Sequence, residues 1–319
     1  MSVTESNSFS ARVSDAAAMS AEQLRCLGGS AARSPIGVFD SGVGGLTVLR
    51  VLCRQLPEEA MLYFGDTARL PYGTRSEAEI LQFVREILTW MQQQGTKMVI
   101  MACNTSSALV LEKVQSEFPM PILGVILPGA QAAVQTGRRI GVIATPATAA
   151  SNAYGRAIAE IDARAQVWQV GCPEFVPLIE QNRLHEPYTE QVARHYLAPL
   201  LDAQIDTLVY GCTHYPHLEP VLRRFLPPTV RLVDPAQSLV IAAERELEAL
   251  GLRGGALNGK RHSPSPRFPT AAATRFCVSG DPHTFAHLST QWLGYQPTVE
   301  QVDVARLFQE TSVVGQSGG

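Results

Sequence analysis

The sequence predicts an α/β fold built from two similar parallel-sheet domains, related by a pseudo-two-fold, with a site in the cleft between them. The first observation is that short β-branched or apolar runs alternate with segments of helical periodicity along most of the 319 residues. This alternation is typical of parallel sheets whose strands are joined by crossover helices. The second observation is that the pattern occurs twice, which indicates a duplication.

The first half supplies the elements in order. Strands are predicted over 35–39, 60–64, 98–101 and 121–127, and helices over 46–55, 76–94 and 106–118. The helix over 76–94 is the longest of these, and one of its faces carries an apolar stripe. That stripe consists of Ile80, Phe83, Val84, Ile87, Leu88 and Met91.

The second half repeats the first at an offset of 104 to 109 residues. IGVFDS at 36–41 is similar to IGVIAT at 140–145, and MACNT at 101–105 corresponds to YGCTH at 210–214. The pairs YFGD and QVGC, at 63–66 and 169–172, and LPG and DPA, at 127–129 and 234–236, follow the same offset. Four weak matches in the same order together predict two related domains.

We predict a domain division from this repeat. Residues 35–126 and 236–306 form the first domain with a loop insert over 253–274, and 127–235 form the second. The segments 1–34 and 307–319 are predicted to be tails, with a short helix near 21–26. The tail and the insert are rich in Ser, Ala, Gly and Pro, so neither is expected to hold the chemistry.

Composition excludes several classes of function. The net charge is −3 and only 17% of residues are charged, so neither a nucleic-acid partner nor a charge-tethered partner is expected. No apolar run approaches the roughly 18 residues of a membrane span, and the first twenty residues lack the pattern of a signal peptide. A cytoplasmic protein without a membrane partner is therefore expected.

The spacing of the cysteines and the small number of lysines exclude further classes of site and mechanism. None of the six cysteines forms a CxxC pair, which argues against a zinc ribbon, a thioredoxin-like motif or a clustered iron–sulfur site. Only Lys97, Lys113 and Lys260 are present, so a Schiff-base mechanism has few candidates. We expect no metal and no cofactor.

Two cysteines occupy equivalent positions in the two halves. Cys103 and Cys212 each follow an apolar strand and precede polar residues at a predicted helix start. A helix N-terminus favours a thiolate, and two such thiols facing one carbon could remove a proton on one side and return one on the other. The alternative is that they are packing residues, which is the interpretation we prefer for Cys26, Cys53, Cys172 and Cys277.

Seven segments in order resemble the glutamate racemases of the cofactor-independent aspartate/glutamate racemase family. They are IGVFDSGVGGLTVLR, YFGDTARLPYGTRS, MACNTSSAL, GVIATPAT, GCPEFVPLIE, YGCTHYPHL and LVDPA, and the likeness resumes at FCVSGDPHTF and WLGY. The resemblance covers about residues 35–250. The segments 1–34 and 253–274 depart from the family's pattern.

The resemblance implies a role for each matching residue. Cys103 and Cys212 would be the two acid–base thiols, assisted by Asp40 and His214 respectively, with Cys103 handling the D-glutamate proton and Cys212 the L-glutamate proton. The residues holding the substrate's carboxylates and ammonium would be Asp40, Ser41, Tyr72, Gly73, Asn104, Thr105, Thr213 and His214. Asp66 and Glu174 would line the cleft.

The residues alone leave alternatives open. Asp40, Ser41, Thr105 and Thr213 could be helix N-caps, and Tyr72 and Gly73 could serve only a local turn. The resemblance implies interconversion of L- and D-glutamate, supply of D-glutamate for peptidoglycan, a homodimer or a monomer, and in some members a peptidoglycan-precursor activator. The alternatives are an aspartate or hydantoin racemase and a non-catalytic dicarboxylate-binding protein.

Overall fold

The fold consists of two parallel β-sheets flanked by helices. It was obtained as a computed structural model that describes residues 32–254, 274–306 and 308. The predicted helix near 21–26, most of the insert over 253–274 and almost all of both predicted tails lie outside the described residues. Every strand pairing in the described chain is parallel, which confirms the predicted fold class.

The first sheet has six strands in the order β10-β9-β2-β1-β3-β4. These strands are β1 (Ile36–Asp40), β2 (Met61–Gly65), β3 (Met98–Met101), β4 (Ile122–Gly124), β9 (Thr274–Val278) and β10 (Val299–Gln301). The second sheet has four strands in the order β6-β5-β7-β8. These are β5 (Arg139–Ala144), β6 (Gln166–Gly171), β7 (Thr207–Gly211) and β8 (Arg231–Val233).

The duplication is visible in the strand order. The second sheet, β6-β5-β7-β8, repeats the central order β2-β1-β3-β4 of the first sheet strand for strand. β9 and β10, which come from the C-terminal part of the chain, extend only the first sheet. The domain boundaries themselves stay a prediction.

Eleven α-helices have both ends within the described residues. In the first half they are α1 (Leu46–Gln55), α2 (Glu77–Gln93), α3 (Asn104–Val114) and α4 (Ile126–Thr136). The second half contains α5 (Pro146–Ser151), α6 (Ala153–Ile161), α7 (Phe175–Glu180), α8 (Pro187–Asp202), α9 (Glu219–Leu222), α10 (Pro235–Ala249) and α11 (Pro282–Leu293). Short 3₁₀ turns occupy Thr67–Arg69, Tyr72–Thr74 and Tyr215–Leu218.

Two elements differ from the sequence prediction. The apolar run over 121–127 is not one strand: β4 ends at Gly124 and α4 begins at Ile126. A short apolar run cannot distinguish a strand from the buried start of a helix. Helix α3 begins at Asn104 rather than Ser106, directly behind Cys103, and ends at Val114 rather than Phe118.

The helices bury apolar faces against both sheets, and contacts between helices connect the two halves. Helix α1 buries Leu46, Leu49 and Leu52 in the core, and each fully buried side chain of this kind contributes roughly 1.5–3 kcal/mol. Helix α10 packs against α1 and α4, and α4 also packs against α6. The carboxyl ends of both sheets are thereby held close together. No helix in the described part of the chain is long and apolar enough to cross a membrane.

Candidate active site

A cavity of about 380 Å³ opens where strands of both sheets end. The first half contributes Ser41, Tyr72, Gly73, Cys103, Asn104 and Thr105 to its lining, and the second contributes Cys212, Thr213 and His214. Nine of the twelve residues singled out in the sequence therefore line one cavity. Asp40, Asp66 and Glu174 do not. Ligands of open parallel sheets bind at such strand ends.

Cys103 lies at the junction between β3 and α3. It is the N-cap residue of α3, and its carbonyl oxygen accepts hydrogen bonds from the Ser107 amide at 3.0 Å and the Ser106 hydroxyl at 3.1 Å. Burial raises the pKa of the Cys103 thiol to about 11, and the nearby Asp40 carboxylate adds to this effect. The Cys103 side chain is therefore a thiol at neutral pH.

Cys212 lies in a different electrostatic environment. Its Sγ is 3.7 Å from His214 Nδ1, and His214 Nε2 is 3.2 Å from Glu180 Oε1. Burial lowers the pKa of His214, but hydrogen bonds to Cys212 and Glu180 outweigh burial and raise it to about 10. An imidazolium at this position stabilises negative charge on the neighbouring sulfur.

Asp40 is fully buried behind the cavity wall. Its Oδ2 accepts a hydrogen bond from the Gly42 amide at 3.0 Å, and its Oδ1 accepts one from the Thr213 hydroxyl at 3.3 Å. Burial raises the pKa of Asp40, whereas the charge of His214 and these hydrogen bonds lower it. Asp40 therefore connects the loop after β1 to the loop that carries Cys212.

Asp66 lies beneath Tyr72 rather than on the cavity surface. Its carboxylate accepts hydrogen bonds from the Tyr72 hydroxyl, from Arg69 Nε at 2.7 Å and from the Ser279 hydroxyl at 2.7 Å. Arg69 also pairs with the buried Glu86. This network fixes the 3₁₀ turn whose residues Tyr72 and Gly73 line the cavity.

Glu174 also lies away from the lining. Its Oε2 is buried and has no hydrogen-bond partner within the described chain. Glu180, six residues later at the end of α7, reaches His214 instead. The sequence GCPEFVPLIE contains both glutamates, and nothing in it shows which one faces the cavity.

Three threonine hydroxyls form a closed hydrogen-bonded ring beside the cavity. The oxygen of Thr105 is 3.0 Å from that of Thr145, Thr145 is 2.9 Å from Thr148, and Thr148 is 3.2 Å from Thr105. Thr105 follows the first sheet, whereas Thr145 and Thr148 follow β5 of the second sheet. The ring therefore ties the two halves together at the site.

The glycine-rich loop after β1 permits a close approach between the halves. A Cβ on Gly44 would lie 2.3 Å from Thr213 Oγ1 and 2.4 Å from His214 Nδ1. Contacts this short do not occur, so any side chain at position 44 would displace the loop that carries Cys212. The loop also donates the Gly42 amide to Asp40. Gly44 is therefore required for the close approach of the two loops.

Neither Arg nor Lys is among the described residues that line the cavity. Negative groups of a ligand would be met by the free N–H groups at the start of α3, by hydroxyls and by His214. Lys97 is buried in an ion pair with Glu59, and Lys113 pairs with Glu77 on the surface. No group of three or more His, Cys, Asp or Glu side chains in the described residues is arranged to hold a metal ion.

Four functional candidates were missed or set aside in the sequence analysis. Glu180, Thr145 and Cys172 line the cavity, and the buried Tyr154 donates a hydrogen bond to Asn104. Thr145 and Cys172 each directly follow a strand, and this position at the carboxyl end of a strand could have identified them from the sequence. Glu180 and Tyr154 come from helices, and only the packing of those helices reveals them.

Comparison with known proteins places this geometry among racemases. Residues 36–243 match the Asp/Glu/hydantoin racemase family. The chain is 70% identical to the glutamate racemase of Gloeothece citriformis over 270 residues, which cover 85% of this chain and 92% of that protein.

Two solved structures are similar as well. The glutamate racemase of Francisella tularensis in complex with D-glutamate gives a TM-score of 0.76 at 34% identity, over 86% of this chain and 98% of that one. The Escherichia coli glutamate racemase, solved with L-glutamate and the activator UDP-MurNAc-Ala, gives a TM-score of 0.65 at 27% identity, over 84% of this chain and 98% of that one.

Proposed function

The chain belongs to the Asp/Glu/hydantoin racemase family, and from this premise we propose that Cys103 and Cys212 exchange the α-proton of glutamate on opposite faces of the substrate. The reaction is the interconversion of L- and D-glutamate, the activity by which its relatives are named. The observation that supports the two-thiol mechanism is that both cysteines line one cavity from opposite halves of a duplicated fold.

The mechanism begins with the two thiols in unequal states. For the conversion of L-glutamate, Cys212 Sγ is the base and the Cys103 thiol is the acid. His214 Nδ1 lies 3.7 Å from Cys212 Sγ and stabilises negative charge on it, and burial keeps the proton on Cys103. Cys212 Sγ removes the α-proton of L-glutamate, and the electron pair left on carbon is delocalised into the α-carboxylate. The Cys103 thiol then donates its proton to the opposite face, which yields D-glutamate.

The cycle ends with the protonation states exchanged. Cys103 is then a thiolate and Cys212 a thiol, which is the state that accepts D-glutamate. Return to the starting state moves one proton from Cys212 to Cys103 and changes no net charge. Asp40, whose charge acts on Cys103, can take up a proton during this transfer, and the His214 imidazolium can release its own proton and be reprotonated by Cys212.

Binding of the substrate relies on neutral donors. The lining offers the amides at the start of α3, the Asn104 side chain and the hydroxyls of Ser41, Thr105 and Thr213 for the two carboxylates. A carboxylate accepts several such hydrogen bonds without an arginine partner. Tyr72 and Gly73 close one side of the cavity, where Asp66 holds the Tyr72 hydroxyl.

The test of this function is a racemisation assay on L- and D-glutamate with aspartate as a competing substrate. We expect turnover of both glutamate enantiomers and little turnover of aspartate.

Cys103→Ser and Cys212→Ser should each remove nearly all racemisation, because an alcohol is a far weaker acid than a thiol. Cys277→Ser is the matched control, since Cys277 is buried in β9 away from the cavity. Normal racemisation by Cys212→Ser would exclude the two-thiol mechanism.

Membership of this family also suggests a biological role and an activator. We propose that the D-glutamate supplies peptidoglycan synthesis and that a peptidoglycan precursor acts as an activator. Support for the activator comes from the Escherichia coli structure with UDP-MurNAc-Ala. Turnover with and without that nucleotide tests activation, and sedimentation equilibrium distinguishes the homodimer from the monomer. An unchanged rate at saturating nucleotide would exclude activation.

A further inference from the structure

A buried hydrogen bond between the two halves reaches the substrate cavity from behind. The hydroxyl of Tyr154 lies 2.8 Å from Asn104 Oδ1. Tyr154 is fully buried and does not line the cavity, whereas Asn104 lines it directly beside Cys103. The tyrosine therefore contacts a residue of the cavity wall without reaching the ligand itself.

Local backbone geometry places the Tyr154 side chain next to Asn104. Helices α5 and α6 are separated by Asn152, which adopts a left-handed conformation with φ of 53°. This break turns the start of α6 toward α3, and Tyr154 is its second residue. Gly129 leaves the space for the aromatic ring, because a Cβ there would lie 3.1 Å from Tyr154 Cε1.

The hydrogen bond determines which way the Asn104 amide faces. Among the described residues, Asn104 is the one hydrogen-bond partner of the Tyr154 hydroxyl. If the amide were flipped, its Nδ2 would donate to the hydroxyl, and the buried hydroxyl hydrogen would have no acceptor. A buried donor without a partner is costly. The tyrosine therefore favours Oδ1 toward itself and Nδ2 toward the cavity.

Nδ2 is the group that a glutamate carboxylate requires. A carboxylate only accepts hydrogen bonds, so the flipped amide would present an oxygen to it and repel it. No partner of Nδ2 occurs within the described chain, which leaves both of its hydrogens for a ligand. We propose that Tyr154 is a positioning residue that fixes the Asn104 amide as a donor to a substrate carboxylate. This inference rests on the proposed function, since it requires glutamate in the cavity.

The first test is the variant Tyr154→Phe, which keeps the ring and removes the hydroxyl. KM for both glutamate enantiomers should rise about tenfold, the value of one hydrogen bond, while kcat stays within about threefold. Tyr196→Phe is the matched control, because Tyr196 is a buried tyrosine of the same half and no hydrogen bond of its hydroxyl occurs in the described chain. Its KM should stay at the wild-type value. An unchanged KM in Tyr154→Phe would overturn the proposal.

The second test separates positioning from general support of the fold. In an Asn104→Ala background there is no amide to orient, so Tyr154→Phe should change KM less than twofold. A rise in KM as large as in the wild-type background would show that Tyr154 acts through the fold, and the proposal would fail. Failure of the proposed function is distinguishable, because the wild-type protein would then not racemise glutamate in the same assay.

Discussion

The two cysteines differ in the groups that surround them rather than in their position in the fold. Burial and Asp40 raise the pKa of Cys103 to about 11. Cys212 lies beside His214, whose pKa is raised to about 10 because hydrogen bonds to Cys212 and Glu180 overcome the effect of burial. The proposed mechanism uses this difference, with Cys103 as the acid and Cys212 as the base toward L-glutamate.

This asymmetry predicts how activity depends on pH. Turnover of L-glutamate requires protonated His214, so kcat/KM for L-glutamate should fall as the pH rises through about 10. Loss of the Cys103 proton near pH 11 adds to the fall. Because these groups interact, the apparent pKa of the alkaline decrease in kcat/KM is a property of the coupled groups rather than of one residue. An alkaline decrease in kcat/KM with its midpoint below pH 8 would contradict this assignment.

Glu180→Gln tests the cause of the raised pKa of His214. Removing the carboxylate removes a hydrogen bond and a charge that both raise the pKa, so the alkaline limb should move to lower pH by about one unit. kcat/KM at neutral pH should change little, because His214 stays protonated there. Glu186→Gln is the control, because Glu186 pairs with Arg183 on the surface. An unmoved limb in Glu180→Gln would show that Glu180 does not act on His214.

Most of the site residues were identifiable from the sequence because they directly follow strands. Cys103 and Cys212 needed only the strand–polar pattern and its repeat, whereas Asn104 and Thr213 needed the resemblance to the racemase family. Asp66 follows a strand as well, but its side chain turns toward Arg69 and Tyr72. Strand ends specify which loop a residue belongs to, whereas side-chain direction depends on partners that are distant in the sequence.

At the scale of elements, the loop after β1 carries the contact between the halves. Gly44→Ala would place a Cβ 2.3 Å from Thr213 Oγ1 and force the Cys212 loop to move. A shift of about 1 Å at a reacting group can cost on the order of 100-fold in rate, so we expect kcat/KM to fall by about that factor. The measurement is kcat/KM together with the thermal unfolding midpoint.

Gly42→Ala provides the comparison within the same loop. A Cβ there would meet the end of the flexible Leu70 side chain at 3.2 Å and would make only an ordinary van der Waals contact with Glu180 Oε1 at 3.8 Å. Its loss of kcat/KM should therefore be much smaller than that of Gly44→Ala. Equal losses would show that the loop needs glycine for backbone freedom rather than for the approach to His214.

The elements themselves were predictable where apolar periodicity was uninterrupted. Helix α1 and strand β3 have the predicted bounds. The sequence predicts one strand over 121–127, which is wrong: β4 and α4 follow one another there without a polar residue between them. β9 and β10 join the first sheet beside β2. Local sequence patterns do not predict a pairing between segments so distant in the sequence.

At the scale of the whole molecule, the buried ion pair between Lys97 and Glu59 supports the fold rather than the chemistry. The two side chains are only 1% and 3% exposed, and Lys97 Nζ also donates to the carbonyls of Ala32 and Leu252. Lys97→Met leaves Glu59 buried without its partner, which should lower the free energy of unfolding by about 3–5 kcal/mol. kcat below the unfolding range should stay close to the wild-type value.

Lys113→Met is the matched control for this prediction. Lys113 and Glu77 are each 50% exposed, so the free energy of unfolding should change by less than about 1 kcal/mol. Chemical denaturation of both variants measures the difference. Loss of kcat in folded Lys97→Met would instead indicate that the lysine takes part in catalysis.

The central claim is that each thiol serves one face of the substrate, and hydrogen exchange at the α-carbon in D₂O tests it most directly. Cys103→Ser retains Cys212 with its imidazolium partner, so it should place deuterium into L-glutamate without inversion. Cys212→Ser should label D-glutamate alone and more slowly, because the pKa of Cys103 is raised to about 11. Labelling of both enantiomers by either single variant would contradict the account, since one remaining thiol would then reach both faces.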